Sequence, residues 1–195
     1  SEKDFKKKEY LMNIKRTSVI ASIVIAIALS ASVCGGKAAI GEKIELTKMN
    51  ILDGKVEILI PSSFKIMSEE WLKLKYPNEN RPSLVYTNDD GSVDVGFRYT
   101  ELVGNLPELR DNLKSAFTNL YPSAKWYRCG IEGINGKEAV VLEFISPAID
   151  TEIYNLLWIT ILDGKLMFST FNCTKKQLGD WKEAAGRIMG SFREL

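Results

Sequence analysis

The chain has 195 residues, with 26 Lys and Arg against 25 Asp and Glu for a formal net charge of +1. It contains no histidine, which excludes His-based triads, His general bases and His-containing zinc sites while leaving carboxylate, Lys and Tyr chemistry open. Residues 1–36 hold six basic and three acidic side chains, leaving 20 basic against 22 acidic beyond them; a balance near −2 lacks the basic face that a nucleic-acid partner needs.

From Ser18 to Val33 the chain reads SVIASIVIAIALSASV, uncharged and almost wholly apolar, between Lys15-Arg16 and Cys34-Gly35-Gly36. A basic region, an apolar core and a small-residue exit together describe a secretory signal. About 16 residues rise only about 24 Å as helix, short of a roughly 30 Å hydrocarbon core, so a cleaved signal is favoured over a permanent span. A buried core helix is excluded because the segment has no polar face to turn toward water. Met12-Asn13-Ile14-Lys15-Arg16 reads as an ordinary signal start, which makes residues 1–11 an upstream extension. Ala31-Ser32-Val33-Cys34 resembles the lipobox of bacterial lipoproteins, where the Cys receives a diacylglyceryl group and becomes the new N-terminus. It departs from that pattern at Ala31, where Leu is usual, and at Val33, where Gly, Ala or Ser is usual. Cys34 is the expected lipidation site, with plain cleavage after Ser32 as the alternative. The chain thus divides into a leader (1–36), a tether (37–43) and a single domain (44–195), with the domain expected outside the cytoplasm and anchored to the cell membrane.

Past the tether the strongest signal is a series of turns: Asp53-Gly54, Asp90-Gly91, Asn135-Gly136 and Asp163-Gly164, each between apolar or β-branched runs. Type I′ hairpin turns need positive φ at both central residues, which Asn or Asp followed by Gly adopts at least cost. Four such turns predict eight strands in antiparallel pairs: about 44–52 with 55–61, 82–89 with 92–100, 126–134 with 137–146, and 152–162 with 165–173. Val93, Val95, Phe97 and Tyr99 alternate with Ser92, Asp94, Gly96 and Arg98, predicting a strand with one wet face. Leu156–Leu162 and Ala139–Leu142 are continuously apolar and are expected centrally, covered on both sides. Three helices punctuate the strands. A short one around Ser68–Lys75 carries Trp71, Leu72 and Leu74. A middle one carries Leu106, Leu109, Leu113, Phe117 and Leu120, opens at Asn105 with Glu108 and is stopped by Pro122. The last carries Leu178, Trp181, Ala185, Ile188 and Phe192 as one stripe, with Thr174 and Gln177 as a capping box. Long amphipathic helices against an apolar sheet predict an α+β domain, an antiparallel β-sheet flanked by helices on both faces.

The order of elements carries a resemblance. Ile58-Leu59-Ile60-Pro61 and Phe64-Lys65-Ile66 precede the Trp-bearing helix; a hairpin and a helix follow. A long meander then ends in Phe171-Asn172-Cys173-Thr174, before a helix with Trp181, Ile188 and Ser191-Phe192. This resembles the PsbP-like domain of DcrB-type bacterial lipoproteins, of the photosystem subunit PsbP and of Ran-binding import proteins, over about residues 42–195. The resemblance implies an αβα sandwich; it supplies no catalytic residues and no single function.

Candidate sites are few. Cys129 and Cys173 fall on the first and fourth strands of the predicted meander, about 14 Å apart, beyond the roughly 7 Å Cα limit of a disulfide, so both are expected as buried free thiols. Asp89, Asp90 and Asp94 bunch at a turn but lack the ligand spacing of a calcium loop, and are expected as a solvated hairpin. Asp150, Glu152 and Glu143 are the acids available for hydrolysis. Among Trp71, Tyr76, Tyr86, Tyr99, Trp126 and Tyr127, the loop-flanking Tyr76 and Trp126 are the expected partner-binding aromatics. The sequence therefore predicts a non-catalytic, membrane-tethered binding or scaffolding domain that uses no cofactor or metal and contacts another envelope protein or a small ligand. A carboxylate hydrolase, or a bitopic protein whose uncleaved leader spans the membrane, are the alternatives.

Overall fold

A computed structural model describes residues 44–102 and 104–195; the leader, Cys34 and the tether lie outside the described residues. The elements are β1 (Leu46–Ile51), β2 (Val56–Pro61), β3 (Lys65–Ile66), α1 (Glu69–Lys75), β4 (Leu84–Thr87), β5 (Val93–Tyr99), α2 (Leu106–Leu120), β6 (Lys125–Ile134), β7 (Lys137–Pro147), β8 (Glu152–Leu162), β9 (Lys165–Thr174), α3 (Leu178–Gly190) and β10 (Arg193–Glu194). All four expected hairpins form antiparallel pairs. At Asn135-Gly136 (φ 47° and 83°) and Asp163-Gly164 (φ 49° and 76°) both central residues adopt positive φ between directly paired neighbours, giving two-residue hairpins. The other two turns are wider. Ile51 pairs with Val56, so Leu52–Lys55 forms a four-residue loop in which Leu52 and Asp53 as well as Gly54 take positive φ. At Asp90-Gly91 only Gly91 has positive φ, and Asn88 closes the loop through its side-chain and backbone bonds to Val93.

Seven strands form one antiparallel sheet in the order β3-β4-β5-β9-β8-β7-β6, and β1, β2 and β10 form a second, smaller sheet. Directly paired residues share a face, so the register assigns each layer. On one face Val140, Leu142 and Phe144 of β7 and Leu157 and Ile159 of β8 meet Leu106, Leu109, Leu113 and Phe117 of α2. On the other, Val141, Leu156 and Phe171 meet Ala185, Ile188 and Met189 of α3, together with Val56, Ile58 and Ile60 of β2. The molecule is an α+β sandwich with a helix on each side of the main sheet. The small sheet shares the α3 side, and its two-residue strand β10 and the equally short β3 were without sequence signal. β8 is central and buried on both faces, as its apolar run predicts. Asn105 caps α2 by accepting from the Glu108 amide at 2.8 Å, and Thr174 and Gln177 form their capping box on a 3-10 turn, Lys175–Gln177, that runs into α3. Among the described residues no helix is long and apolar enough to cross a membrane.

The expected wet face of β5 is a correction. Asp94 and Gly96 are buried, because α1 and the segment through Pro82 fold over that side of the hairpin. Met67, Tyr76 and Val85, with Leu72 against them, form a small third core there. A Cβ at Gly96 would meet the Thr170 hydroxyl at 2.9 Å and the Pro82 ring at 3.5 Å. Gly96→Ala is therefore expected to destabilise by about 1–3 kcal/mol, read as a lowered urea midpoint with unchanged slope.

Candidate functional site

The most concentrated polar chemistry lies under α1. Lys75, at the helix C-terminus, reaches Asp94 of β5 at 2.5 Å and also donates to the Gly91 carbonyl. The Tyr76 hydroxyl donates to the same Asp94 Oδ2 at 2.9 Å. Asp94 is 1% exposed and Tyr76 3%, so this is a buried ion pair with a phenol as its third member. Asp94 Oδ1 has no hydrogen-bond partner among the described residues. Burial, and then the neighbouring carboxylate, hold the Tyr76 phenol well above its ordinary range. The row continues across the sheet: Asn172 faces Asp94 in register and donates to Asn155 at 2.8 Å, and Asn155 donates to Ser146 at 3.0 Å.

Two sequence expectations are corrected here. Tyr76 is turned inward, where its hydroxyl serves Asp94, so it presents no surface to a partner. The three aspartates do not form one solvated turn either: Asp89 pairs with exposed Lys65, Asp90 accepts from the Ser92 amide, and Asp94 is sealed below α1.

A second buried carboxylate sits on the α3 side. Glu143 accepts from Arg128 Nε at 2.5 Å and from the Tyr154 hydroxyl at 2.9 Å, and Arg128 also reaches Glu132 at 3.1 Å. Burial first, then the bond to Glu143, raise the Tyr154 phenol far above its ordinary value. Glu152 is opposite Pro147, four residues further along β7 and about 13 Å from Glu143, and it pairs with Lys175. Asp150 is exposed beyond it. The acids therefore do not converge, and each buried one is held by a cation and a phenol. Among the described residues no three metal-ligating side chains come together.

The fold forms a small cleft of about 240 Å³, counting space open to solvent, lined by Ile134, Lys137, Ala139, Trp158, Thr160, Ser169 and Phe192. It contains none of those acids. The Trp158 indole N–H beside it is buried without a hydrogen-bond partner among the described residues, and the Thr160 hydroxyl donates to the Glu138 carbonyl at 2.9 Å.

Trp126 and Tyr127 occupy β6, one edge of the main sheet. A bulge between Trp126 and Arg128 turns these neighbours to different surroundings. Trp126 stacks on Phe144 at 4.6 Å with the Lys114 ammonium of α2 3.3 Å from its ring centre. Tyr127 is exposed, with Lys182 of α3 5.4 Å from its ring centre. Burial lowers the Lys114 ammonium from its ordinary value. Sequence reasoning singled out Trp126 but passed over Tyr127, whose exposure follows from a bulge that no pattern announced. Cys129, on the same strand, is free and exposed rather than buried, because an edge strand is covered less completely than a central one; Cys173 is free and buried. Burial pushes the Cys173 thiol up to about 12.

With this geometry in place, the chain shows the PsbP-like α+β fold. It is similar to cyanobacterial PsbP (CyanoP) from Synechocystis sp., with a TM-score of 0.57 and 13% identity over 83% of this chain and 98% of that one. It is also similar to LpqN of Mycobacterium tuberculosis, a protein involved in cell envelope biogenesis, with a TM-score of 0.53 and 11% identity over 76% of this chain and 89% of that one. At such identities the likeness is one of fold. No protein-family model and no curated protein matches the chain.

Replacing Asp94 by Asn leaves Lys75 buried without its counter-charge, and is expected to cost about 3–5 kcal/mol in chemical denaturation. The alkaline limb of stability has a definite sign. Cys173, Tyr76 and Tyr154 keep their protons when folded at pH values where the unfolded chain has lost them. Stability is thus expected to fall as pH rises above about 9, and the fall to be shallower in Tyr154→Phe, as measured by urea midpoints across that range.

Proposed function

We propose that this chain is a non-catalytic binding domain of the bacterial cell envelope, held at the extracytoplasmic face of the membrane by its N-terminal segment and docking another envelope protein. Cys34 is the proposed lipid attachment point, with the leader removed ahead of it. The observation that carries the binding reading is the β6 edge. Among the described residues no strand pairs with its outer side, and Trp126 and Tyr127 flank that edge from opposite faces of the sheet, each with a lysine over its ring from the helix on its own side. Aromatic rings of this kind, with apolar faces and a polar or cationic rim, are what anchor protein interfaces.

Two further observations favour binding over turnover. The buried carboxylates Asp94 and Glu143 are each held by a cation and a phenol, and they lie on opposite faces of the sheet. The shallow cleft beside Trp158 contains no paired acids.

The test is capture of the full tethered chain from its own membrane, with mass-spectrometric comparison of wild type and the Trp126→Ala/Tyr127→Ala double variant. Loss of two anchoring aromatics is expected to lower recovery of the specific partner at least about ten-fold. Equal recovery with both chains overturns the edge as the docking surface. Envelope-substrate turnover that vanishes on neutralising Glu143 or Asp94 overturns the non-catalytic reading. Intact mass of the membrane-extracted chain is expected to begin at Cys34 and to include acyl chains.

A further inference from the structure

Among the described residues, three of the seven exposed large apolar side chains fall within nine residues of one another: Ile66 (62% exposed), Trp71 (57%) and Leu74 (59%). By register Ile66 shares the Tyr86 face, opposite the side that α1 covers, so the three side chains lie on either side of the β3 edge and give that end of the sheet an apolar rim. The segment is rigidly presented. Ser68 caps α1 by accepting from the Trp71 amide, and Leu72 and Tyr76 fix the helix from below in the small third core. The side of α1 that bears Trp71 and Leu74 is left to solvent.

The place where the domain begins says what covers it. Ser62 donates its amide to the Glu45 carbonyl at 3.0 Å, and the Thr47 and Ser62 hydroxyls are 2.8 Å apart. The N-terminal entry to the domain is therefore beside Ser62, at most about 13 Å of extended chain from Ile66. Between Cys34 and Ile44 there are about ten residues, a reach of no more than roughly 35 Å. A leader that delivers Cys34 to a bilayer thus keeps this end of the domain within about 35 Å of the lipid, at raised effective concentration.

We infer that Ile66, Trp71 and Leu74 form a lipid contact that seats the domain on the membrane surface by this end. The inference rests on the membrane-tethered reading above. Trp is suited to the boundary between head groups and acyl chains, and the neighbouring Lys65 and Lys73 stems can lie along apolar surface with their charges in water. The contact is apolar rather than electrostatic. Lys65 pairs with Asp89 and Lys73 with Glu69, and Glu70 adds a further acidic charge, so no net positive charge faces an anionic lipid.

The experiment uses the full chain in phosphatidylcholine vesicles whose lipids are brominated near the head group, with tryptophan fluorescence as readout. Quenching of wild type beyond that of Trp71→Phe isolates Trp71, since Trp126, Trp158 and Trp181 are common to both chains. That Trp71-specific quenching is expected, and to fall at least about two-fold in Ile66→Ser/Leu74→Ser, because less apolar area then partitions into lipid. It is also expected to be unchanged by added salt or anionic lipid. A chain that floats with vesicles while Trp71 stays unquenched overturns the seating and leaves the tether standing. Protection of Trp71 by a second copy or another protein instead of lipid overturns it too. A chain that does not float with vesicles overturns both.

Discussion

Burial of the main sheet on both faces is the constraint from which the remaining structure follows. β7, β8 and β9 carry apolar side chains in both directions, so neither face can meet water. One amphipathic helix is needed on each side, and α2 and α3 supply them with stripes of matching spacing. The sheet is wider than either helix, and its remaining area calls for other cover. The β1-β2-β10 sheet closes the α3 side, and α1 with the Pro82 segment closes the β4–β5 end of the α2 side. The antiparallel meander β6–β9 makes this economical, because each strand meets its neighbour through a two-residue turn or a short loop.

Two-sided cover has an electrostatic consequence. A strand that alternates as β5 does would normally keep its polar positions in water; once α1 lies across it, Asp94 must be matched inside. Lys75 and Tyr76, adjacent at the end of the covering helix, do this together. The Glu143 site repeats the solution with a different cation, Arg128, and a phenol from the next strand. In both places burial, and then donation to a carboxylate that already has a cation, bind the phenol proton more tightly instead of releasing it. These are features of groups engaged in holding layers together. They leave the solvent-facing edges, and not the interior, as the surfaces on which binding can be built.

What was legible in the sequence follows the range of the interactions involved. Asp-Gly and Asn-Gly turns are local, and they located all four hairpins; the capping pairs Asn105–Glu108 and Thr174–Gln177 are local as well, and located two helix starts. The length of the first loop was less visible, because positive φ at Leu52 is imposed by the register of β1 on β2 and not by the residue itself. The misplacement of Asp94 in water and of Tyr76 at the surface share one cause. Alternation reports two faces but cannot say that a separate helix will cover the second. Cys129 shows the converse: an apolar-looking position on a strand whose edge location is decided by pairing order. β3 and β10, two residues each, exist only because a partner strand is present.

The order of strands gives the two proposed contacts their relation. β3 stands at one edge of the main sheet and β6 at the other, separated by six inter-strand steps of about 4.8 Å, or roughly 29 Å. The lipid-seating residues flank β3, next to the point where the chain enters the domain, and the aromatic pair lies on β6. A domain seated by its β3 edge therefore holds its β6 edge well away from the bilayer surface, beyond about two Debye lengths at physiological salt and clear of the head groups. The same geometry explains why the two surfaces differ in kind. Near the lipid, bare apolar side chains with balanced charges are sufficient, because orientation about the membrane normal is unconstrained. At the far edge the proposed protein partner has to be told apart from others, and there each aromatic ring is accompanied by a lysine from a helix of its own.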